Sequence, residues 1–326
     1  MLDSVMFWNE PNNLSHWDFQ MDEGWQQFAK MVRWAGEAVH AANPQVRRVM
    51  GGLSPVDPEF AVRLGDLGAL AAVDVMAIHG FPLDWNYWHA PDNDTQDPQR
   101  VATGIHAWPR KIDLIRRVSG LPVWVTEVGV SSFGAEEVQA WGLRATLDAL
   151  AGVERAYWYT LFDLPEHRAA TTRHKESEGS SYYRHYHMGL LTAEGRPKAA
   201  LAAWPVGRPN LGLCQWFHMN DGETLERSVA LFKQLGVTHV RTGISWADSH
   251  VPGAWEWFDR QMEALAPFTV LATLCFTPPS RGQRADHTSP PVDLGEYAWF
   301  CGEVVRRYAP PAPAYVAPAP AAYTWG

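Results

Sequence analysis

Eight short apolar runs, separated by amphipathic stretches, predict a parallel (β/α)8 barrel. The runs lie at residues 5–8, 48–53, 73–79, 123–127, 156–162, 211–217, 237–245 and 269–276. They are continuous rather than alternating, which is the pattern of strands buried on both faces of a parallel sheet. Eight such units in a chain of 326 residues match the size of a closed barrel. The rival is a doubly wound open sheet. That fold calls for a Gly-rich GxGxxG turn after a strand, and the sequence has none.

Each connecting stretch supports the same reading. Residues 25–42 place Phe28, Met31, Val32, Ala35 and Val39 on one helical stripe. Asp57-Pro58 sets a capping residue before a proline at the first helical position. Residues 135–150, 224–235, 255–266 and 294–308 repeat the helical pattern. Two loops that follow strands are long: 81–98, with Trp85, Tyr87 and Trp88, and 163–187, rich in Arg, His and Tyr. Loops after strands build the functional face of a barrel, so long aromatic insertions there suit an enzyme. Residues 309–326 hold seven Ala and five Pro and read as a polyproline-like tail.

Composition excludes several classes. Hydrophobic residues make up 46% of the chain and charged residues 19%, so it is not a disordered chain. No apolar run approaches the ~20 residues of a membrane span. The net charge of −9, with no basic run, argues against nucleic acid and anionic membranes as partners. Cys214, Cys275 and Cys301 form no CxxC pair and read as buried thiols. Met1-Leu2-Asp3-Ser4 shows no signal-peptide pattern, so a cytoplasmic location is expected. The 17 tryptophans exceed what core packing asks for, and flat ligands such as sugar rings are one reason for such an excess.

Two glutamates end apolar runs: Glu10 in Trp8-Asn9-Glu10-Pro11 and Glu127 in Val125-Thr126-Glu127-Val128-Gly129. A carboxylate at the C-terminal end of a barrel strand points into the shared mouth. Two facing carboxylates are what glycoside hydrolysis requires, one to protonate the leaving oxygen and one to attack the anomeric carbon or activate water. His185 and His187 stand two apart without a third ligand, which is weak for a metal.

These motifs resemble those of clan A retaining glycoside hydrolases, most closely the bacterial β-xylosidase-like members. The Asn9-Glu10-Pro11 motif resembles the end of strand four of that clan, and Thr126-Glu127 resembles its strand seven. The resemblance implies Glu10 as acid/base, Glu127 as nucleophile and Asn9 as a ligand of the sugar 2-hydroxyl. It implies a sugar platform at Trp158, a site residue at His79 and an arginine, Arg241, beside the nucleophile. Trp216, His218 and Trp246 are expected to line the sugar pocket. Arg241 is expected to favour ionised Glu127, and the apolar setting of Trp8 to raise the pKa of Glu10. No metal or organic cofactor is implied, and the expected partner is an oligosaccharide or glycoside.

The order departs from the family. Residues 1–204 carry what resemble strands four to eight, and 205–308 carry strands one to three. The resemblance therefore implies a circular permutation, with residues 1–308 as one barrel and 309–326 as a tail. The rival is a fragment of tandem barrels, in which closure fails or two chains exchange halves as a dimer. A non-catalytic carbohydrate-binding module stays open beside the enzyme. The deciding contact is a pairing of residues 4–9 with residues 271–276 of the same chain.

Overall fold

The computed structural model describes residues 1–81, 105–167 and 185–311. The expected aromatic loop at Trp85, Tyr87 and Trp88, most of the 163–187 loop and nearly all of the tail lie outside them. The described residues form a closed barrel of eight parallel strands. They are β1 (Leu2–Phe7), β2 (Arg47–Leu53), β3 (Val75–Gly80), β4 (Val123–Val128), β5 (Ala156–Tyr159), β6 (Leu211–Cys214), β7 (His239–Gly243) and β8 (Thr269–Leu274).

The barrel closes within one chain. β1 pairs with β8 in the register Ser4–Leu271, Val5–Ala272, Met6–Thr273 and Phe7–Leu274. Helices α1 (Gln26–Ala42) and α8 (Leu294–Tyr308) pack on each other and cover that seam. The other helices among the described residues are α2 (Pro58–Asp66), α3 (Trp108–Ser119), α4 (Glu136–Ala149), α5 (Ala199–Ala202), α6 (Gly222–Gln234) and α7 (Ala254–Ala264). The Asp57 cap forms as predicted, its carboxylate accepting the Phe60 N–H at 3.0 Å. Helix α3 was not foreseen, although Trp108, Ile112 and Ile115 recur at helical spacing and are buried.

Strand alternation divides the core into two layers. Met6, Val49, Val75, Ala77, Trp124, Tyr157, Cys214 and Leu271 fill the barrel interior. Their neighbours in sequence, such as Phe7, Met50, Ile78, Val125 and Leu213, face the helices. Several strands stop short of the predicted runs. The surplus residues, among them Trp8, Thr160 and Ser245, leave the sheet and enter the loops at its C-terminal end. No described helix is long and apolar enough to cross a membrane.

Candidate active site

The mouth of the barrel gathers side chains from β1, β3, β4 and β7, each aimed by a local feature of the backbone. After β1, alternation from Met6 would point Trp8 inward. Trp8 instead adopts φ +68° and Glu10 φ +42°, a region costly for bulky residues. The turn sends the Trp8 indole into the outer layer, where it packs edge-on against Trp17 at 5.1 Å and Tyr297 at 5.6 Å. Its Nε1–H donates to the His16 carbonyl at 2.8 Å. Asn9 and Glu10 are thereby turned toward the mouth.

On β4 the device is a bulge. Ile78 pairs with Val125 but His79 pairs with Glu127, so β4 carries one extra residue at that level. Strict alternation from the inward Trp124 would turn Glu127 out. The bulge brings both Thr126 and Glu127 to the mouth. On β3, His79 continues the inward series Val75 and Ala77. It needs Gly52 beside it, because a Cβ on Gly52 would stand 2.0 Å from His79 Nε2.

These residues form one hydrogen-bonded set. His79 Nδ1 lies 2.9 Å from Glu10 Oε1 and its Nε2 lies 2.8 Å from Thr126 Oγ1. The same Nδ1 is 3.7 Å from Glu127 Oε2. Arg241 Nη1 donates to Glu127 Oε1, and Nη2 donates to Asn9 Oδ1 at 2.7 Å. Arg241 also reaches Cys214 Sγ at 3.1 Å and is fully buried. Asn13 Nδ2 donates to Glu10 Oε2 at 3.2 Å. One oxygen each of Glu10 and Glu127 lie within 4.8 Å of each other.

The electrostatics follow from this network. Burial alone would raise the Glu10 pKa. The His79 hydrogen bond, the His16 and His79 charges and the Asn13 bond together outweigh it and hold Glu10 well below the usual carboxylate range. This corrects the expectation that an apolar setting with Trp8 would raise Glu10: the indole is turned away and an imidazole takes the place beside the carboxylate. Burial also opposes the Arg241 charge, but its Cys214 and Glu127 partners prevail and its pKa rises. Burial pushes the Cys214 thiol up to about 12.

Of the predicted site residues, Asn9, Glu10, His79, Glu127 and Arg241 are brought together. Trp216 sits half-buried against the inner core, with the Arg241 guanidinium 5.8 Å from its ring centroid. Its ring occupies the space a Cβ on Gly243 would fill, 1.8 Å from Trp216 Cζ3. Two expectations are corrected. Trp158 is fully buried in the outer layer with Val125 and Val128, because residues 157 and 159, not 158, carry the inward phase of β5. Trp246 is buried against Tyr297 at 5.4 Å, also in the outer layer. His218 is exposed, and its charge acts on Asp248.

Besides Thr126 and Asn13, two further residues at the mouth were missed. Tyr159 packs on the inner core with its ring 6.0 Å from Phe81. Burial and then the Glu127 charge raise its pKa. The period-two phase of Ala156–Tyr159 was the signal that pointed to it over Trp158. His16 Nδ1 lies 3.5 Å from Glu10 Oε2, its ring stacked on Phe276 at 5.9 Å. Its place in the loop that follows Glu10 was the only hint.

Glu10, His79 and Glu127 are also the one cluster among the described residues with three close ligand atoms for a metal ion. A cation there would sit beside the fixed charge of Arg241, which already neutralises Glu127. Around His185 and His187 no such cluster forms among the described residues; His187 packs on Phe133 at 5.5 Å.

No family model matches the sequence. No curated protein matches it either. Among solved structures, the chain is similar to an endo-laminarinase from Formosa Hel1_33_131, with 18% identity and a TM-score of 0.38 over 54% of this chain and 52% of that one. It is similar to beta-glycosidase BGL167, with 21% identity and a TM-score of 0.32 over 52% of this chain and 43% of that one. ZgEngAGH5_4 is matched with 10% identity and a TM-score of 0.40 over 82% of this chain and 87% of that one. The chain thus spans about half the length of the first two.

Proposed function

We propose that the protein is a retaining O-glycoside hydrolase acting on β-glycosides, with Glu127 as nucleophile and Glu10 as acid/base. The observation that carries this reading is the pair of buried carboxylates facing each other, one oxygen of each within 4.8 Å of the other. Double displacement uses carboxyl groups ~5–5.5 Å apart, whereas inversion needs ~6.5–9.5 Å to admit a water. The partners divide the roles. The Arg241 guanidinium on Glu127 favours the charged form that a nucleophile must have. Glu10 is bonded instead to the His79 imidazole and the Asn13 amide.

In the first step Glu127 forms a bond to the anomeric carbon. The bond from that carbon to the leaving oxygen breaks, and the oxygen takes a proton from Glu10. In the second step water attacks the anomeric carbon, its proton goes to Glu10, and the bond to Glu127 breaks. Asn9, held by Arg241, is placed to meet the sugar 2-hydroxyl. Its partners favour the charged form of Glu10 in the free protein, so the acid role requires Glu10 to take up a proton before the first step. The reading extends to a β-xylosidase-like substrate and to a clan A barrel in permuted order, residues 1–308 forming one unit. Closure through the β1–β8 register supports a single-chain barrel over exchanged halves.

The low pKa of Glu10 favours one second reading, a carbohydrate-binding module that lacks the acid. A panel of nitrophenyl β-glycosides separates the two. Hydrolysis is expected for at least one sugar and is expected to vanish in Glu127→Ala. A 2-deoxy-2-fluoro glycoside of that sugar is expected to add its glycosyl mass to Glu127. Hydrolysis that survives Glu127→Ala removes the nucleophile, and sugar binding with no turnover favours the module.

A further inference from the structure

We infer that a second pocket, on the rim between α7 and α8, binds a pyranose unit of a glycan apart from the Glu10–Glu127 site. The choice of a sugar as its ligand rests on the glycosidase reading; the pocket itself does not. It encloses about 440 Å³, within the ~300–1,000 Å³ of small-molecule sites. All of its lining falls between residues 246 and 300, on the loops after β7 and β8 and on α7 and α8. The catalytic set comes chiefly from β1, β3 and β4, so the two sites share no wall residue.

Three indoles line it. Trp246 is buried, Trp255 is half-buried and packs on Phe300 at 6.0 Å, and Trp299 is 60% exposed. Trp299 lies on the outward face of α8, while Tyr297, Phe300 and Cys301 on its inward face are at most 1% exposed. Burying such a ring is worth ~1.5–3 kcal/mol, so its place on the pocket edge forgoes folding stability. A flat apolar face left in water beside a cavity suits the C–H face of a sugar ring.

The polar groups around the indoles suit its hydroxyls. Arg281 Nη1 and Glu296 Oε1 pair at 3.2 Å with side chains 50% and 37% exposed, so both keep directions open to a ligand. Asp293 and His250 complete a rim with charges of both signs. An apolar ligand would strip water from these groups without replacing its hydrogen bonds, whereas a polyhydroxylated ring supplies donors and acceptors together. The pocket opens at the mouth end of the barrel, since Trp246 follows β7 and Asp293 precedes α8. A glycan chain held at the mouth and one held on the rim are therefore presented to the same face.

Affinity electrophoresis of the full chain in gels containing xylan, laminarin or hydroxyethylcellulose tests the inference. Retardation is expected in at least one gel. It is expected to weaken at least ~10-fold in Trp299→Ala, the usual loss on truncating an anchoring aromatic, and to weaken in Glu296→Gln. Nitrophenyl glycoside hydrolysis is expected to be unchanged in Trp299→Ala, whose side chain lies outside the catalytic set. No retardation in any gel, or equal retardation of wild type and Trp299→Ala, overturns the inference. Trp299-dependent retardation without hydrolysis leaves the inference standing and removes the glycosidase reading; hydrolysis without such retardation does the reverse.

Discussion

Replacing Gly52 by alanine adds a single methyl group at the point where the site has no room. The new Cβ would stand 2.0 Å from His79 Nε2, 2.2 Å from Cδ2 and 2.6 Å from Cε1. Ordinary contact begins near 3.4 Å, so the ring must retreat by ~1.4 Å or the strand must bend. His79 is 1% exposed and has no outward path. Its ring is fixed at both ends, 2.9 Å from Glu10 and 2.8 Å from Thr126, and a shift of that size breaks at least one bond. Overpacking of this kind costs ~1–3 kcal/mol of stability, and a 1 Å displacement at the reacting groups costs ~100-fold in rate. The assay is kcat/KM on the best nitrophenyl glycoside together with the urea midpoint. Gly152→Ala, where an added Cβ meets nothing within 4 Å, is the control. Wild-type kcat/KM and stability in Gly52→Ala would refute the idea that His79 is wedged between Gly52 and the two carboxylates.

Two further outcomes follow from the charges. Arg241→Ala leaves the buried Glu127 carboxylate without its counter-charge and Asn9 without its donor, and is expected to cost ~3–5 kcal/mol in urea unfolding. Adding Glu127→Gln to it should recover part of the loss; a double variant no more stable than Arg241→Ala would count against the pairing. Glu10 gives a pH dependence of known sign. Its folded pKa, about 2, lies below the ordinary 4.5, so the contribution is full above ~4.5 and is lost as pH falls toward the folded value. The stability difference between wild type and Glu10→Gln should therefore shrink between pH ~4.5 and ~2; a difference that is flat or grows on acidification contradicts the His79–Glu10 bond.

The fold was legible because a barrel strand is buried on both sides, and eight continuous apolar runs record that directly. The two carboxylates were legible for a related reason: a charged residue ending such a run stands at the C-terminal rim of the barrel. Trp158 shows where this reading stops. An indole within Ala156–Tyr159 suits either face, and a one-residue difference in phase decides between barrel interior and outer layer. Trp246 misled in the same way, as a bulky aromatic just past a strand end that the outer layer absorbed. His16 carries no local pattern; only the path of the loop after Glu10 brings its ring to the carboxylate and onto Phe276, far away in sequence.

By itself the sequence determined the strand count, the parallel order and which strand ends carry acids, since these depend on residue type and period alone. Tertiary structure alone decided which way those acids point. The left-handed turn at Trp8 and the bulge at Thr126 both override the alternation that the sequence implies. It decided, too, that a histidine rather than an indole stands beside Glu10, and that β1 meets β8 of the same chain. The last two are contacts between residues distant in sequence, settled by how eight strands share one closed interior.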